Sequence, residues 1–486
     1  MNLKNESKII LIVTCQGLPQ PDRPATGAGL RAYGLGEALK KRGHQVIYSV
    51  PEACLDGSRD SFEDWIRYSH NVTDIKDIVT QVSPDVVIFS NWGLACEAAE
   101  CEVPAVVDIN GSLVLENHYR KRGTLLDDTV AKIRALSKVD LVLAGSETQK
   151  TYLTAWCLVA GMDPDTLSIE VVPLSLPPHM PEPQPPEEPI FVMAGYDWPW
   201  LDGQSAIEVV SRELERLKRG HLNIYASPPL YTDVLPGEDS SLDPTGSLEV
   251  GHLPHVTLHE PVSFDKLVGI LSQSSVALDA WGRNLERELA FPTRTVVYLW
   301  AGLPVIESAY GELSELIKRY GAGWTVDPCD APYLADLVRN IVTDPGRLAG
   351  PRSNVRRLVT DHLIWDSTIE PLDRFCRSPH INRRPSPLIS TLDRFERDQQ
   401  TLQHELEETH QTIRKQEERI SDSRAECELM GLIHRRPKGF AVLTSPSLAW
   451  RRLRRLVFGL PVLAYLFTLT SIGHFLYTLS MWRRRP

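Results

Sequence analysis

Short apolar runs alternate with helix-patterned stretches through most of the first 380 residues, and this alternation constrains the fold more than any other feature. Lys8–Thr14, Gln45–Val50, Asp85–Ser90, Ala105–Ile109, Leu141–Ala144 and Ile169–Pro173 read as buried strands. Ala28–Arg42, stopped by Gly43, is the first of the helices between them. Apolar strands separated by helices imply a parallel sheet covered on both faces. Seven prolines between Pro177 and Pro189 then interrupt any regular element and read as a stiff linker. A second set follows: Ile190–Ala194, a helix near Ser205–Lys218, Leu222–Ala226, Val256–His259, Val276–Asp279 and Gly321–Val326. Two α/β lobes and a linker predict a cleft, and open α/β sheets bind ligands at the carboxyl ends of their strands.

A length of 486 residues allows two or three domains, and 42% hydrophobic with 24% charged residues suits packed cores. The net charge of −11 argues against nucleic acid as a partner. The charge is uneven, because residues 434–486 hold ten Lys and Arg and no Asp or Glu. The eight cysteines show no zinc-type spacing and read as reduced thiols of a cytoplasmic protein. The polar start, Met1–Ser7, lacks the pattern of a signal peptide.

Beyond the lobes, Leu388, Leu392, Phe395, Leu402, Leu406, Ile413, Ile420, Cys427 and Met430 keep a three-four spacing. This predicts a coiled coil over 388–432 and a homo-oligomer; a single solvated helix is the alternative. Val457–Trp482 contains no charged residue and is flanked by arginines. It reads as a spanning anchor, an interfacial helix pair on anionic lipid, or a buried soluble hairpin.

The segment from Asn284 to Ile306 carries the most chemistry. A charged loop, Asn284–Glu288, leads to a helix over Thr293–Ala301, a stop at Gly302 and a short strand. Arg294 lies in the first helical turn, where free N–H groups and the helix dipole attract anions; a solvated surface arginine is the alternative. Glu286 and Glu288 read as an acid/base pair or as a solvated charge run. Gly27-Ala28-Gly29 opens the first helix and allows a close backbone approach, or forms a plain turn. Asp108 and Asn110 end a strand at a functional edge; Asp108 is a candidate base or a turn cap, and Asn110 cannot act as a base. Trp198 and Trp200, with Asp197 and Asp202 beside them, either stack on a base or sugar or pack at the domain junction. His44 reads as structural, and Glu116 and His118 lie close enough in sequence to reach the cleft.

The wording "AFPTRTVVYLWAGLPVI" resembles the donor-site region of GT-B glycosyltransferases of the group 1, family 4-like type. "LRAYGLGEALKKRGHQVIY" after the Gly27–Gly29 loop and the "SE-x-Q" helix from Ser146 resemble the same group. The resemblance covers roughly Lys8 to Arg377. It implies a GT-B fold: two Rossmann-like doubly wound lobes (1–178 for the acceptor, 190–378 for the nucleotide sugar) facing a cleft, joined by the linker 179–189. Here they are followed by the coiled coil and a basic, hydrophobic tail (433–486). The implied activity is metal-independent transfer of a sugar, with retention, from a nucleotide-sugar donor to an acceptor hydroxyl. No cofactor is implied, since the nucleotide sugar is a substrate. Arg294, Asp108 and Asn110 become candidate catalytic residues. Gly27, Gly29, Arg31, Trp200, Asp202, Arg283, Glu286, Thr293 and Thr295 become candidate donor contacts. The sequence departs from the group at Val297, where relatives carry the acid that would bond the ribose, and at Asn110, often His. The tail suits a glycan or lipid-linked acceptor, as in cell-surface polysaccharide assembly, and a cytoplasmic, membrane-associated protein. The competing expectation is a non-catalytic GT-B-like scaffold, oligomerised by the coil and held at a membrane.

Overall fold

The computed structural model describes residues 7–20, 23–55, 66–70, 74–95, 102–184, 186–227, 248–383 and 386–429. It divides into two compact units, Met1–Phe395 and Glu396–Pro486. The first unit holds two parallel sheets. One contains β1 (Ile9–Thr14), β2 (Gln45–Pro51), β3 (Ile66–His70), β4 (Val86–Ser90), β5 (Ala105–Ile109), β6 (Leu141–Ala144) and β7 (Ile169–Val171), in the order 3-2-1-4-5-6-7. The other contains β8 (Ile190–Tyr196), β9 (His221–Ser227), β10 (Val256–His259), β11 (Val276–Asp279), β12 (Val305–Ser308) and β13 (Gly323–Val326), in the order 10-9-8-11-12-13.

Side chains alternate across each strand, so every sheet feeds two cores. Leu11 and Val13 enter one core of the first sheet, Ile10 and Ile12 the other. Val192 and Ala194 divide from Phe191 and Met193 in the same way. Strand order reverses between β1 and β4 and again between β8 and β11. Crevices at such reversals are where open α/β sheets take ligands. The chain then returns to the first sheet: Trp365, Ile369, Leu372, Phe375 and Cys376 pack into its core.

One local reading is corrected. Asn284–Glu288 is not a loop: Asn284 caps a short helix, Leu285–Leu289, by accepting from the Arg287 N–H at 3.0 Å. The strand Ile66–His70 went unanticipated. The helix Thr293–Trp300 ends as expected at Gly302, whose φ of 84° is the left-handed conformation that glycine adopts freely.

His44 is structural: its ring lies 2.8 Å from Asp373 Oδ1 and accepts from the Lys8 N–H. Cys157, Cys329 and Cys376 are free thiols. One helix runs unbroken from Pro387 to Leu429, and Leu402, Leu406, Ile413 and Ile420 are exposed along it. Among the described residues no helix is long and apolar enough to cross a membrane. The basic, hydrophobic tail lies outside the described residues.

Candidate functional site

A cavity of about 320 Å³ opens at the carboxyl ends of both sheets. Its first wall is built on the β1/β4 reversal. Cys15 and Gln16 follow β1, Ser90 ends β4 and Asn91 follows it, and Asn110 and Gly111 follow β5. Gly27, Ala28 and Arg31 come from the helix Gly27–Lys41.

Arg31 and Asp108 are both buried and form a two-pronged ion pair. Arg31 Nε donates to Asp108 Oδ2 and Nη2 to Oδ1, each at 2.7 Å, and Nη2 also donates to the Val172 carbonyl. With both oxygens engaged, Asp108 is not a free base. Arg31 has only Nη1 unpartnered, so it is first a strut and at most a partial ligand. Asn110 is held from behind, because Gln149 Nε2 donates to its carbonyl at 2.9 Å. The Asn110 Oδ1 is buried without a partner.

The second wall follows β8 and the segment 286–298. Arg294 is anchored on three sides. Its Nη2 donates to the Tyr196 carbonyl at 2.9 Å, its Cζ lies 4.8 Å from the Trp281 ring centroid, and its Nε is 3.9 Å from Asp279 Oδ1. No side chain caps the helix it opens, and Thr293 lines the cavity beside it. The Tyr298 hydroxyl fixes that helix to β8, donating to the Ala194 carbonyl and accepting from its N–H; burial pushes the phenol well up. Glu286 and Arg287 line the cavity at 5% and 7% exposure, with Glu286 Oε2 and Arg287 Nε unpartnered. Burial raises the Glu286 carboxyl against the pull of Arg287 and Arg294. Val297, in the position expected to be acidic, also faces the cavity.

Trp198 and Trp200 stack on each other at 5.0 Å with 7° between planes, and both line the cavity. Arg120, from the helix Leu113–Arg120, lies 4.4 Å over Trp198, and Glu116 of that helix reaches the cavity too. Tyr225, Pro261, Val262, Phe264 and Leu267 form an apolar end.

Several expected contacts lie elsewhere. Gly29 does not line the cavity; it lets the Gly17 carbonyl approach, since a Cβ there would stand 2.1 Å from that oxygen. Gly27 does line it, and an added Cβ would meet Thr293 Oγ1 at 3.0 Å across the cleft. Thr295 is fully buried behind the wall, on Asp279 and Glu307. Arg283 is exposed and pairs with Glu288 at 2.8 Å, away from the cavity. Asp202 is exposed, and its carbonyl holds the Gly282 N–H. His118 is exposed as well. Asp197 is buried and does not line the cavity; burial pushes it up to about 6, with Arg294 pulling the other way. The sequence does not single out Arg287 or Arg120, though Arg287 adjoins Glu286 and Arg120 lies two positions beyond His118.

No family model and no curated protein matches the sequence. Solved structures do match. A sucrose-phosphate synthase from Thermosynechococcus elongatus superposes with a TM-score of 0.57 at 18% identity, over 76% of this chain and 98% of that one. The Anabaena protein HepE in complex with UDP-glucose gives 0.54 at 13% identity, over 76% and 100%. An alpha-glucosyltransferase bound to UDP and a 13-mer DNA containing an HMU base gives 0.53 at 10% identity, over 76% and 100%. Two parallel α/β lobes, a cavity at both sheet reversals and these superpositions together identify the fold as GT-B.

Proposed function

We propose that this protein is a glycosyltransferase that binds a nucleoside-diphosphate sugar in the cavity and transfers the sugar to an acceptor hydroxyl. The observation that carries the reading is Arg294, fixed by Tyr196, Trp281 and Asp279 in the first turn of a helix whose N-terminus no side chain caps. Such a terminus with an adjacent guanidinium suits a diphosphate. The apolar end at Tyr225, Pro261 and Phe264 offers flat faces to a base. HepE and the alpha-glucosyltransferase were solved with UDP or UDP-glucose, which makes UDP the first probe.

In the proposed chemistry the bond from the anomeric carbon to the phosphate oxygen breaks and a bond to the acceptor oxygen forms. Arg294 and the helix start at Thr293 stabilise the charge that develops on the leaving diphosphate. Because Asp108 is committed to Arg31, the departing phosphate oxygen takes the acceptor proton, which fits transfer with retention and without a metal. A lipid-linked glycan acceptor, membrane association through residues 433–486 and oligomerisation through the helix Pro387–Leu429 belong to the same proposal.

Titration calorimetry with UDP and a panel of nucleoside-diphosphate sugars tests it. Binding is expected in the wild type, with at least about a tenfold loss in Arg294→Ala, measured at a temperature where the unliganded variant is still folded. No binding by any of the panel sinks the donor reading. Val297 favours a second reading, a scaffold that does not turn over. UDP binding with no sugar released or transferred from any donor would select it.

A further inference from the structure

Asp279 and Glu307 are register partners on the adjacent parallel strands β11 and β12, so their side chains leave the sheet side by side. Both are buried, at 0% and 3% exposure. Between them lies the Thr295 hydroxyl, bonded to Asp279 Oδ2 and 2.9 Å from Glu307 Oε2. A hydroxyl has one hydrogen to give, and an ionised carboxylate can only accept. Asp279 already accepts from Trp281 Nε1 as well. With the Thr295 hydrogen committed to Asp279, the contact at Glu307 is favourable only if Glu307 is the donor.

The network continues to the cavity. Arg294 Nε is 3.9 Å from Asp279 Oδ1. Arg287 interacts electrostatically with Glu286, Asp279, Tyr310 and Glu307, keeps a buried and unpartnered Nε, and lines the cavity. Glu307 thus faces Asp279 from β11, Thr295 and Tyr298 from the helix Thr293–Trp300, Arg287 from the helix Leu285–Leu289, and Tyr310 beyond its own strand. Burial and the Asp279 charge raise its carboxyl well above the ordinary range, against the pull of Arg287. Two guanidiniums, Arg287 and Arg294, are opposed here by Glu286, Asp279 and Glu307, and Arg294 also faces the buried Asp197. Fully ionised, the network carries an excess of negative charge, and one proton reduces it.

We propose that Asp279 and Glu307 share one proton through the Thr295 hydroxyl, and that this proton sets the charge the cavity presents to an anionic ligand beside Arg294. Glu307 is then a positioning residue that acts through Asp279 and Arg294. Losing the proton would place a negative charge behind Arg294 and weaken a bound diphosphate on the order of tenfold. The proton half of the proposal rests on the network alone; the ligand half rests on the reading of the cavity as a diphosphate site.

Infrared difference spectroscopy on the full chain, carboxyl-labelled with ¹³C-glutamate, tests the proton directly. The wild type should show the carbonyl stretch of a protonated acid, shifted by the label and missing from Glu307→Gln. Glu286→Gln, which should keep the band, separates Glu307 from the other buried glutamate of the network even if Glu307→Gln does not fold. Calorimetry with UDP then tests the consequence. Glu307→Gln, whose amide also donates to Thr295, should bind UDP as the wild type does at neutral pH. Any alkaline loss of affinity in the wild type should follow the loss of the acid band and be absent from the variant. Absence of a label-sensitive acid band overturns the proposal, as does the same pH dependence of UDP binding in both proteins. An acid band without UDP binding upholds the shared proton and overturns the diphosphate role.

Discussion

The Arg31 guanidinium and the Asp108 carboxylate, 77 residues apart, meet through two parallel hydrogen bonds in the interior of the first lobe. Breaking such a pair on one side leaves a buried charge uncompensated, at a cost of about 3–5 kcal/mol. Asp108→Asn should therefore lower the unfolding free energy in urea by that amount. Replacing both residues by apolar groups of similar volume should recover much of it. A fully stable Asp108→Asn with lost transfer activity would instead restore Asp108 as a base.

A second relationship joins the lobes at a helix end. Glu312, which opens the helix Glu312–Tyr320, accepts from the N–H groups of Glu147 and Thr148 at 3.2 and 2.8 Å. Ser146 accepts from Gln149 N–H, so one helix terminus is satisfied by both lobes. Glu312→Ala should cost about 1 kcal/mol and speed hydrogen exchange at the Glu147 and Thr148 amides. Unchanged exchange there would show that the bond contributes nothing.

Lys132 gives a pH test with a definite sign. It is fully buried, with its ammonium 4.5 and 4.3 Å from the ring centroids of Tyr152 and Trp156. The ring faces favour the charged form, but burial pushes its pKa down to about 7, from 10.5. Above pH 7 the folded chain has released a proton that the unfolded chain still holds, so stability rises with pH, by at most about 1.4 kcal/mol per unit. Cys157 acts in the opposite direction above its ordinary 9.0, because burial holds the folded thiol protonated up to about 12. Urea unfolding between pH 7 and 9 should show a rise from Lys132 that Lys132→Met removes. Identical slopes in the two proteins would refute this.

All the strands but Ile66–His70, and the helix Thr293–Trp300, are legible because their signals are local: apolar runs, and a glycine stop. The site was only partly legible. Thr293 and Thr295 look alike in sequence, yet one lines the cavity and the other lies behind it, on Asp279. Two positions on a helix differ by about 200°, so helical periodicity alone could have separated them. Within the charge run after Asn284, a five-residue helix turns Glu286 and Arg287 inward and leaves Glu288 to pair with Arg283 outside. No periodicity is readable over so short a span. The partner of Arg31 is fixed by strand order, which the sequence does not state.

The last prediction concerns Gly195, which supports Arg294 by having no side chain. Its φ of 124° lies in the range that disfavours other residues, and an added Cβ would stand 3.2 Å from Arg294 Cζ. Gly195→Ala should lose about 1–2 kcal/mol of stability through backbone strain. It should also displace the guanidinium from the Tyr196 carbonyl, and with it the affinity for UDP. Gly302 separates the two effects. It too has a positive φ, 84°, and an added Cβ would stand 2.5 Å from Pro183 Cγ, yet it does not line the cavity. Gly302→Ala should lose comparable stability and keep its UDP affinity. Urea unfolding and calorimetry on the pair distinguish strain from displacement. Equal UDP affinity in both variants would mean that the placement of Arg294 does not govern binding.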